Sequence, residues 1–386
     1  MALAGSAGGL DFTRRTMIGQ VTGLPWALIL LLVLMGLIGL ATLYSATYTN
    51  PEEAGLPAKQ AVRLAAAFVL LIIAGLVPLK WWLTLAWPAY GVTLIMLVGV
   101  EAFGLVRGGA QRWLQVGPVG VQPSEFMKVA ATLALAAYYH KRLNDESGGF
   151  LIHLPAVLII AVPAAFIFRQ PDFGTTLALL ASGGILIFLA GLWWRVIIAL
   201  AAVAIVSVPF VYTFVLQDYQ RERVDTYVAQ LTGDSVNVMD DGYQIHNAKI
   251  AIGSGGLTGK GYMEGTQAQL DYIPEQHTDF ILTVIAEENG FLATSGLLML
   301  WMIILGMGLM ISTRAKSLFG QFAAAGATAT VAFYILFNVA MVLGLVPVVG
   351  VPLPLLSYGG TVMLTMAACF GVICAVHLGK DEALSS

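Results

Sequence analysis

Long apolar runs separated by short polar ones dominate the chain. A membrane-crossing helix needs about 20 apolar residues at about 1.5 Å each. Ten runs qualify: 25–46, 62–79, 82–105, 124–140, 152–168, 175–192, 195–216, 290–312, 322–345 and 360–378. Hydrocarbon offers no partner for free backbone groups, so each run must be helix. The pattern predicts an all-α polytopic membrane protein with about ten transmembrane helices. It forms a single membrane domain over 1–386.

Two interruptions carry structural information. The stretch 279–312 would reach about 51 Å as one straight helix, against about 30 Å of hydrocarbon. Glu287, Glu288, Asn289 and Gly290 mark the break. Residues 279–289 therefore read as a short outer or cavity-lining helix, with Asp279, Thr283 and Glu287 on one polar face. The ninth run ends in LVPVVGVPLPLLSYGGT at 345–361. Its prolines break any straight helix, so an apolar but irregular segment here should be re-entrant or line a cavity.

Orientation follows from Lys and Arg in the short loops. With the N-terminus inside, one side holds Arg14, Arg15, Lys80, Lys141, Arg142, Arg195, Arg314, Lys316 and Lys380. The opposite short loops hold Lys59, Arg63, Arg107, Arg112 and Arg169. The richer side is cytoplasmic. Both termini are then cytoplasmic, with an N-terminal tail over 1–24, and one large loop, 217–278, is external.

Composition agrees: 58% of the 386 residues are hydrophobic and 11% charged, where a soluble domain carries roughly 25% charge. The net charge of −3 gives no nucleic-acid footprint. Cys369 and Cys374 read as small core residues. The histidines are scattered, with no metal-ligand spacing. The first apolar run is long enough to be kept as a span rather than removed as a signal.

Polar groups at the ends of spans are the functional candidates. Pro123-Ser124-Glu125 opens the fourth span, and Glu125 and Lys128 sit at i, i+3. They are either a capping carboxylate with a snorkelling lysine or a buried pair lining a substrate cavity, with Lys128 offered to a phosphate. Arg112-Trp113 is an interfacial anchor or a diphosphate contact. Asp172 with Thr175 and Thr176 looks like a helix cap. The glycine-rich run 249–261, from Lys249 to Gly261, is neither a dinucleotide fingerprint nor a Walker loop; its glycines read as loop-folding. Thr278-Asp279, taken alone, is an ordinary helix start.

Together these residues resemble the SEDS family of shape, elongation, division and sporulation proteins. The motifs are GAQRW at 109–113, QPSE at 122–125 with Lys128, QPDFGTT at 170–176, KIAIGSGGLTGKG at 249–261, PEQHTDF at 274–280 and GLVPVVGVPLPLLSYGG at 344–360. The run from Lys249 to Phe280 looks more like the elongation branch than the division branch. Asn289, Phe173 and SYGGT depart from the usual family pattern without touching a charged position.

The resemblance implies a peptidoglycan glycosyltransferase of the bacterial cytoplasmic membrane. Such an enzyme polymerises lipid II externally with a class B penicillin-binding protein. The family's essential loop aspartate falls on Asp279, and its intramembrane pair on Glu125 and Lys128. Asp279 would be the base or a ligand to a divalent cation such as Mg or Mn. Lys128, Arg112 and Arg63 would bind diphosphate beside Glu125 and Asp172, with His277, Thr278, Glu287, Lys249 and Ser357 in support. A lipid flippase and a scaffold that activates a penicillin-binding protein are the rival readings.

Overall fold

In the computed structural model, residues 17–107, 110–116, 119–144, 150–214, 221, 224–229, 241–270 and 272–384 are described. Most of the N-terminal tail, Gly109 of the GAQRW motif and much of 217–240 lie outside them.

Among the described residues, ten long helices follow the apolar runs. They are α2 (Trp26–Thr47), α3 (Leu56–Leu76), α4 (Leu79–Phe103), α5 (Pro123–Asn144), α6 (His153–Arg169), α7 (Phe173–Leu189), α8 (Trp194–Phe214), α11 (Ile281–Arg314), α12 (Leu318–Val342) and α13 (Thr361–Leu378). A short α1 (Met17–Thr22) precedes them; α9 (Asp241–Ser254) and α10 (Thr266–Gln269) lie in the large loop. Local chemistry sets the ends. Pro57 starts α3 in the first turn, where its missing N–H costs nothing, so α3 begins six residues before the apolar run and holds Arg63 well inside it. The Ser317 hydroxyl accepts Gly320 N–H at 3.2 Å and caps α12.

The helix α5 lies at the centre, packed against α4, α7 and α12. Most of its residues are buried, including Glu125 and Lys128. Small residues let helices approach: a β-carbon on Gly75 would come within 2.8 Å of Cys374 Cβ, and one on Gly36 within 2.8 Å of Leu64. Both cysteines are free and buried in this core.

One element departs from the all-helix reading. The stretch between α4 and α5 is a small antiparallel sheet of β1 (Leu105–Arg107), β2 (Ala110–Val116) and β3 (Val119–Val121), in that order. The helix rule holds only in hydrocarbon; beyond the end of α4, strands satisfy one another and β2 folds back over α4 and α5.

The break in α11 falls at Gly290, with φ 73° and ψ −175°. A broken helix leaves carbonyls and N–H groups without partners, and the glycine-rich loop supplies them. Lys260 and Gly261 donate N–H to the carbonyls of Glu287 and Glu288, at 3.0 and 2.9 Å. Phe291 and Leu292 donate to Gly256 and Leu257, at 2.9 and 3.1 Å. So close an approach excludes side chains: a β-carbon on Gly259, φ 82°, would collide with the Glu288 carbonyl.

The segment 344–360 forms no continuous helix. Its backbone lies on α2, where a β-carbon on Gly39 would come within 2.7 Å of Leu356 Cα. Val351, Leu353 and Leu356 are buried.

Candidate active site

A cavity of about 230 Å³ opens where β2, the starts of α5 and α7, the middle of α12 and the proline-rich segment converge. Arg112, Gln122, Glu125, Asp172, Tyr334 and residues Gly350–Pro352 line it.

Glu125, which lines it, is paired with Lys128 one turn further along α5. Lys128 Nζ donates to Glu125 Oε1 at 2.7 Å, and the two side chains are 0% and 3% exposed. The Tyr334 hydroxyl also donates to Oε1, at 3.1 Å, and the lysine sits over the Tyr334 ring, 4.3 Å from its centroid. This rules out the snorkelling lysine: the pair is enclosed in protein. It also closes Lys128 to a ligand as long as Glu125 and Tyr334 hold it.

Asp172 is the N-cap of α7. Its Oδ1 accepts Thr175 N–H at 3.2 Å. Its Oδ2 accepts Gln122 Nε2 at 2.9 Å and Ser124 Oγ at 3.2 Å. The carboxylate therefore joins the starts of α5 and α7. Arg112 donates Nε–H to Gln170 O at 3.1 Å and a second N–H to the Pro171 carbonyl. It braces the same corner while facing the cavity, so it is more than a headgroup anchor.

Asp279 stands at the rim, in the turn before α11. The helix begins at Ile281 with Phe280 as N-cap and no side-chain cap, so Asp279 is not the helix-start residue the local sequence suggests. Asn338 Nδ2 donates to its carbonyl at 2.7 Å. Its Oδ2 would lie 3.5 Å from a β-carbon on Gly350, a cavity-lining residue with φ 73°. The polar face expected for 279–289 is not formed. Asp279 precedes the helix, and Thr283 is buried with its hydroxyl on the Phe280 carbonyl.

Beyond the rim, the Arg63 guanidinium lies 4.5 Å from the centroid of the Tyr358 ring. His277 meets the same ring edge-on at 6.1 Å, and its Nδ1 faces Glu53 Oε2 at 3.7 Å. Tyr358 N–H donates to His277 O at 2.9 Å. Thr278 Oγ1 turns away to Glu275 Oε2, at 2.7 Å.

Three of the supporting residues shape the scaffold. The Glu287 carboxylate is fully buried and accepts Lys260 Nζ at 2.6 Å, Thr266 Oγ1 at 3.1 Å, Gln267 N–H at 3.0 Å and Ala268 N–H at 3.3 Å. It holds α10 and the glycine loop to the helix break. Ser357 Oγ accepts Leu353 N–H at 2.8 Å, and Gln60 binds its carbonyl at 2.9 Å. Lys249 lies across Gly344.

Sequence reasoning missed Tyr334 and Asn338. The signal was present: a tyrosine and an asparagine four apart on an otherwise apolar span lie on one face, and a buried amide in a membrane is costly. Among the described residues no group of three or more His, Cys, Asp or Glu side chains gathers to hold a metal. A divalent cation at Asp279 would take its remaining ligands from water and substrate phosphates, as Mg²⁺ commonly does.

A polytopic helical membrane protein with a buried ion pair beneath a polar cavity, roofed by an irregular loop and rimmed by an aspartate, defines the class. The profile of the cell cycle protein family that joins FtsW, RodA and SpoVE matches residues 23–382, and the chain belongs to that family. It is 37% identical over 354 residues to the peptidoglycan glycosyltransferase MrdB of Escherichia coli K12, covering 90% of this chain and 92% of that one. It is 33% identical to MrdB of Helicobacter pylori 26695, over 83% of each. Among solved structures, a chain of a peptidoglycan synthase complex that coordinates polymerization and crosslinking superposes with TM-score 0.78 at 27% identity, over 93% of this chain and 99% of that one. The rod shape determining protein RodA of Thermus thermophilus superposes with TM-score 0.69 at 25% identity, over 93% and 98%. The protein is a multi-pass protein of the bacterial inner membrane.

Proposed function

We propose that this protein is a peptidoglycan glycosyltransferase of the elongation type. It polymerises lipid II at the outer face of the cytoplasmic membrane, with Asp279 at the reacting atoms. The observation that carries the assignment of the site is the position of Asp279: its carboxylate lies 3.5 Å from where a β-carbon on Gly350 would sit, beside the cavity lined by Gly350, Arg112 and Glu125.

The reaction joins the 4-hydroxyl of one lipid-linked disaccharide to the anomeric carbon of another, and undecaprenyl diphosphate leaves. The incoming hydroxyl must lose a proton, and charge on the departing diphosphate must be stabilised. Arg112 at the cavity is matched by Asp172, and Glu125 by the Lys128 buried behind it, so an entering diphosphate meets little net positive charge. Two groups can make up the difference. Arg63, stacked on Tyr358, keeps the edge of its guanidinium for a phosphate. A divalent cation held by Asp279 would bridge to the diphosphate and supply Lewis-acid stabilisation. If Asp279 instead takes the proton, it acts as a general base on the incoming hydroxyl from its half-buried place beside the cavity. The Glu125–Lys128 pair shapes the cavity and its field, and becomes a direct phosphate contact only if a ligand draws Lys128 off Glu125.

The likeness to a chain of a peptidoglycan synthase complex supports a partner that crosslinks the product, a class B penicillin-binding protein. The test is polymerisation of lipid II by purified protein with that partner, comparing wild type with Asp279→Ala. Glycan strands from wild type and none from a folded Asp279→Ala are expected. Equal polymer from both removes Asp279 from the chemistry. No polymer from either, with lipid flipping in liposomes, returns the protein to the flippase reading.

A further inference from the structure

We infer that Asn338 is a positioning residue for the transfer reaction, holding Asp279 at a fixed place against the cavity wall. Asn338 is fully buried on α12. Its amide nitrogen donates both hydrogens to backbone carbonyls on two irregular segments. One goes to Asp279 and the other to Val351, each at 2.7 Å. Val351 lines the cavity, and its neighbour Gly350 underlies the Asp279 carboxylate. One side chain thus sets the distance between the turn that carries the aspartate and the wall it faces.

Two features separate this role from packing. The Asn338 Oδ1 is buried without a hydrogen-bond partner. An amide with an unsatisfied acceptor is a poor choice for stability alone. The two carbonyls also fix which end of the amide is nitrogen, so the geometry has one orientation. Four residues earlier, on the same face of α12, Tyr334 binds Glu125. The stripe Tyr334–Asn338 therefore references the ion pair and the aspartate to one rigid helix. A further tie, Tyr358 N–H to His277 O at 2.9 Å, keeps the segments joined when Asn338 is changed. Loss of the amide should then displace Asp279 without opening the loop.

The inference rests on the assignment of Asp279 above. The test is steady-state lipid II polymerisation by Asn338→Leu, which removes both donors and keeps an apolar filler of similar size. Asp279→Ala is measured alongside, and thermal unfolding of each variant is followed. Asn338→Leu is expected to fold and to unfold somewhat below wild type, because two carbonyls lose their donor, to keep KM within about twofold, and to lose about 100-fold in kcat, the scale of a 1 Å misplacement. Wild-type kcat in Asn338→Leu with an inactive Asp279→Ala overturns the inference and leaves the assignment of Asp279 standing. An active Asp279→Ala overturns both. If Asn338→Leu does not fold, Asn338→Ala carries the same expectation; failure of both to fold assigns the residue to stability and overturns the inference.

Discussion

Lys128 and Glu125 form an ion pair one helical turn apart, 2.7 Å between Nζ and Oε1, with neither side chain open to solvent. Removing one partner of such a pair strands a buried charge and costs about 3–5 kcal/mol, whereas replacing both by apolar groups can be close to neutral. Lys128→Met alone is expected to lower the unfolding temperature of the purified protein sharply. The double variant Glu125→Leu/Lys128→Met should recover most of it and remain inactive in polymerisation. Full activity in the double variant would reduce the pair to a packing element.

Glu287 should matter through the outer loop. Its carboxylate collects a lysine, a hydroxyl and two backbone N–H groups, and hydrogen bonds to a charged group contribute about 1.5–3 kcal/mol each, net of exchange with water. Glu287→Ala should release α10 and the glycine loop. Limited proteolysis is expected to cut within 255–270 faster than in wild type, with cleavage sites elsewhere unchanged. Identical digestion patterns would mean that the backbone bonds at the helix break hold the loop unaided.

The glycines of that loop are not equivalent. Gly259 has φ 82°, and a β-carbon there would strike the Glu288 carbonyl; a β-carbon on Gly253, in α9, meets nothing within 4 Å. Gly259→Ala is expected to reduce folded yield severely. Gly253→Ala should be neutral or stabilise by about 0.5–1 kcal/mol through helix propensity. The comparison is read from monodisperse yield in detergent and from melting curves, and equal behaviour of the two variants would contradict the close approach.

Arg63 should act on substrate affinity. Stacked on Tyr358 at the outer rim, it is placed to meet phosphate by charge more than to take part in bond making. Arg63→Ala is expected to raise KM for lipid II several-fold, about 1 kcal/mol, with kcat changed far less. The effect should shrink in part as salt is raised, because a half-exposed charge is partly screened. A fall in kcat at unchanged KM would move Arg63 to the reacting centre.

Much of the fold was legible because lipid enforces it. Where backbone groups have no water, long apolar runs become helices, and the ten runs became ten. The break at Gly290 followed from length together with the polar run Glu287–Gly290, since 34 residues of straight helix overshoot the bilayer. Where water returns, that constraint lapses: the sheet at 105–121 was invisible because strands there answer to one another rather than to the bilayer.

For the site, the sequence by itself determined the inventory: Asp279, the Glu125–Lys128 spacing, Arg112, Asp172 and the proline-rich segment, each a costly residue in a setting that demands a reason. Periodicity placed Glu125 and Lys128 together because i, i+3 contacts are local. Only the tertiary structure decided which of these residues meet. It set Asp279 against Gly350, closed Lys128 with Tyr334, turned Asp172 and Glu287 into ties between elements, and made Asn338 the link between Asp279 and Val351. Those contacts join residues far apart along the chain, and no local period encodes them. They arise when packed helices bring irregular segments together and each exposed carbonyl must find a donor.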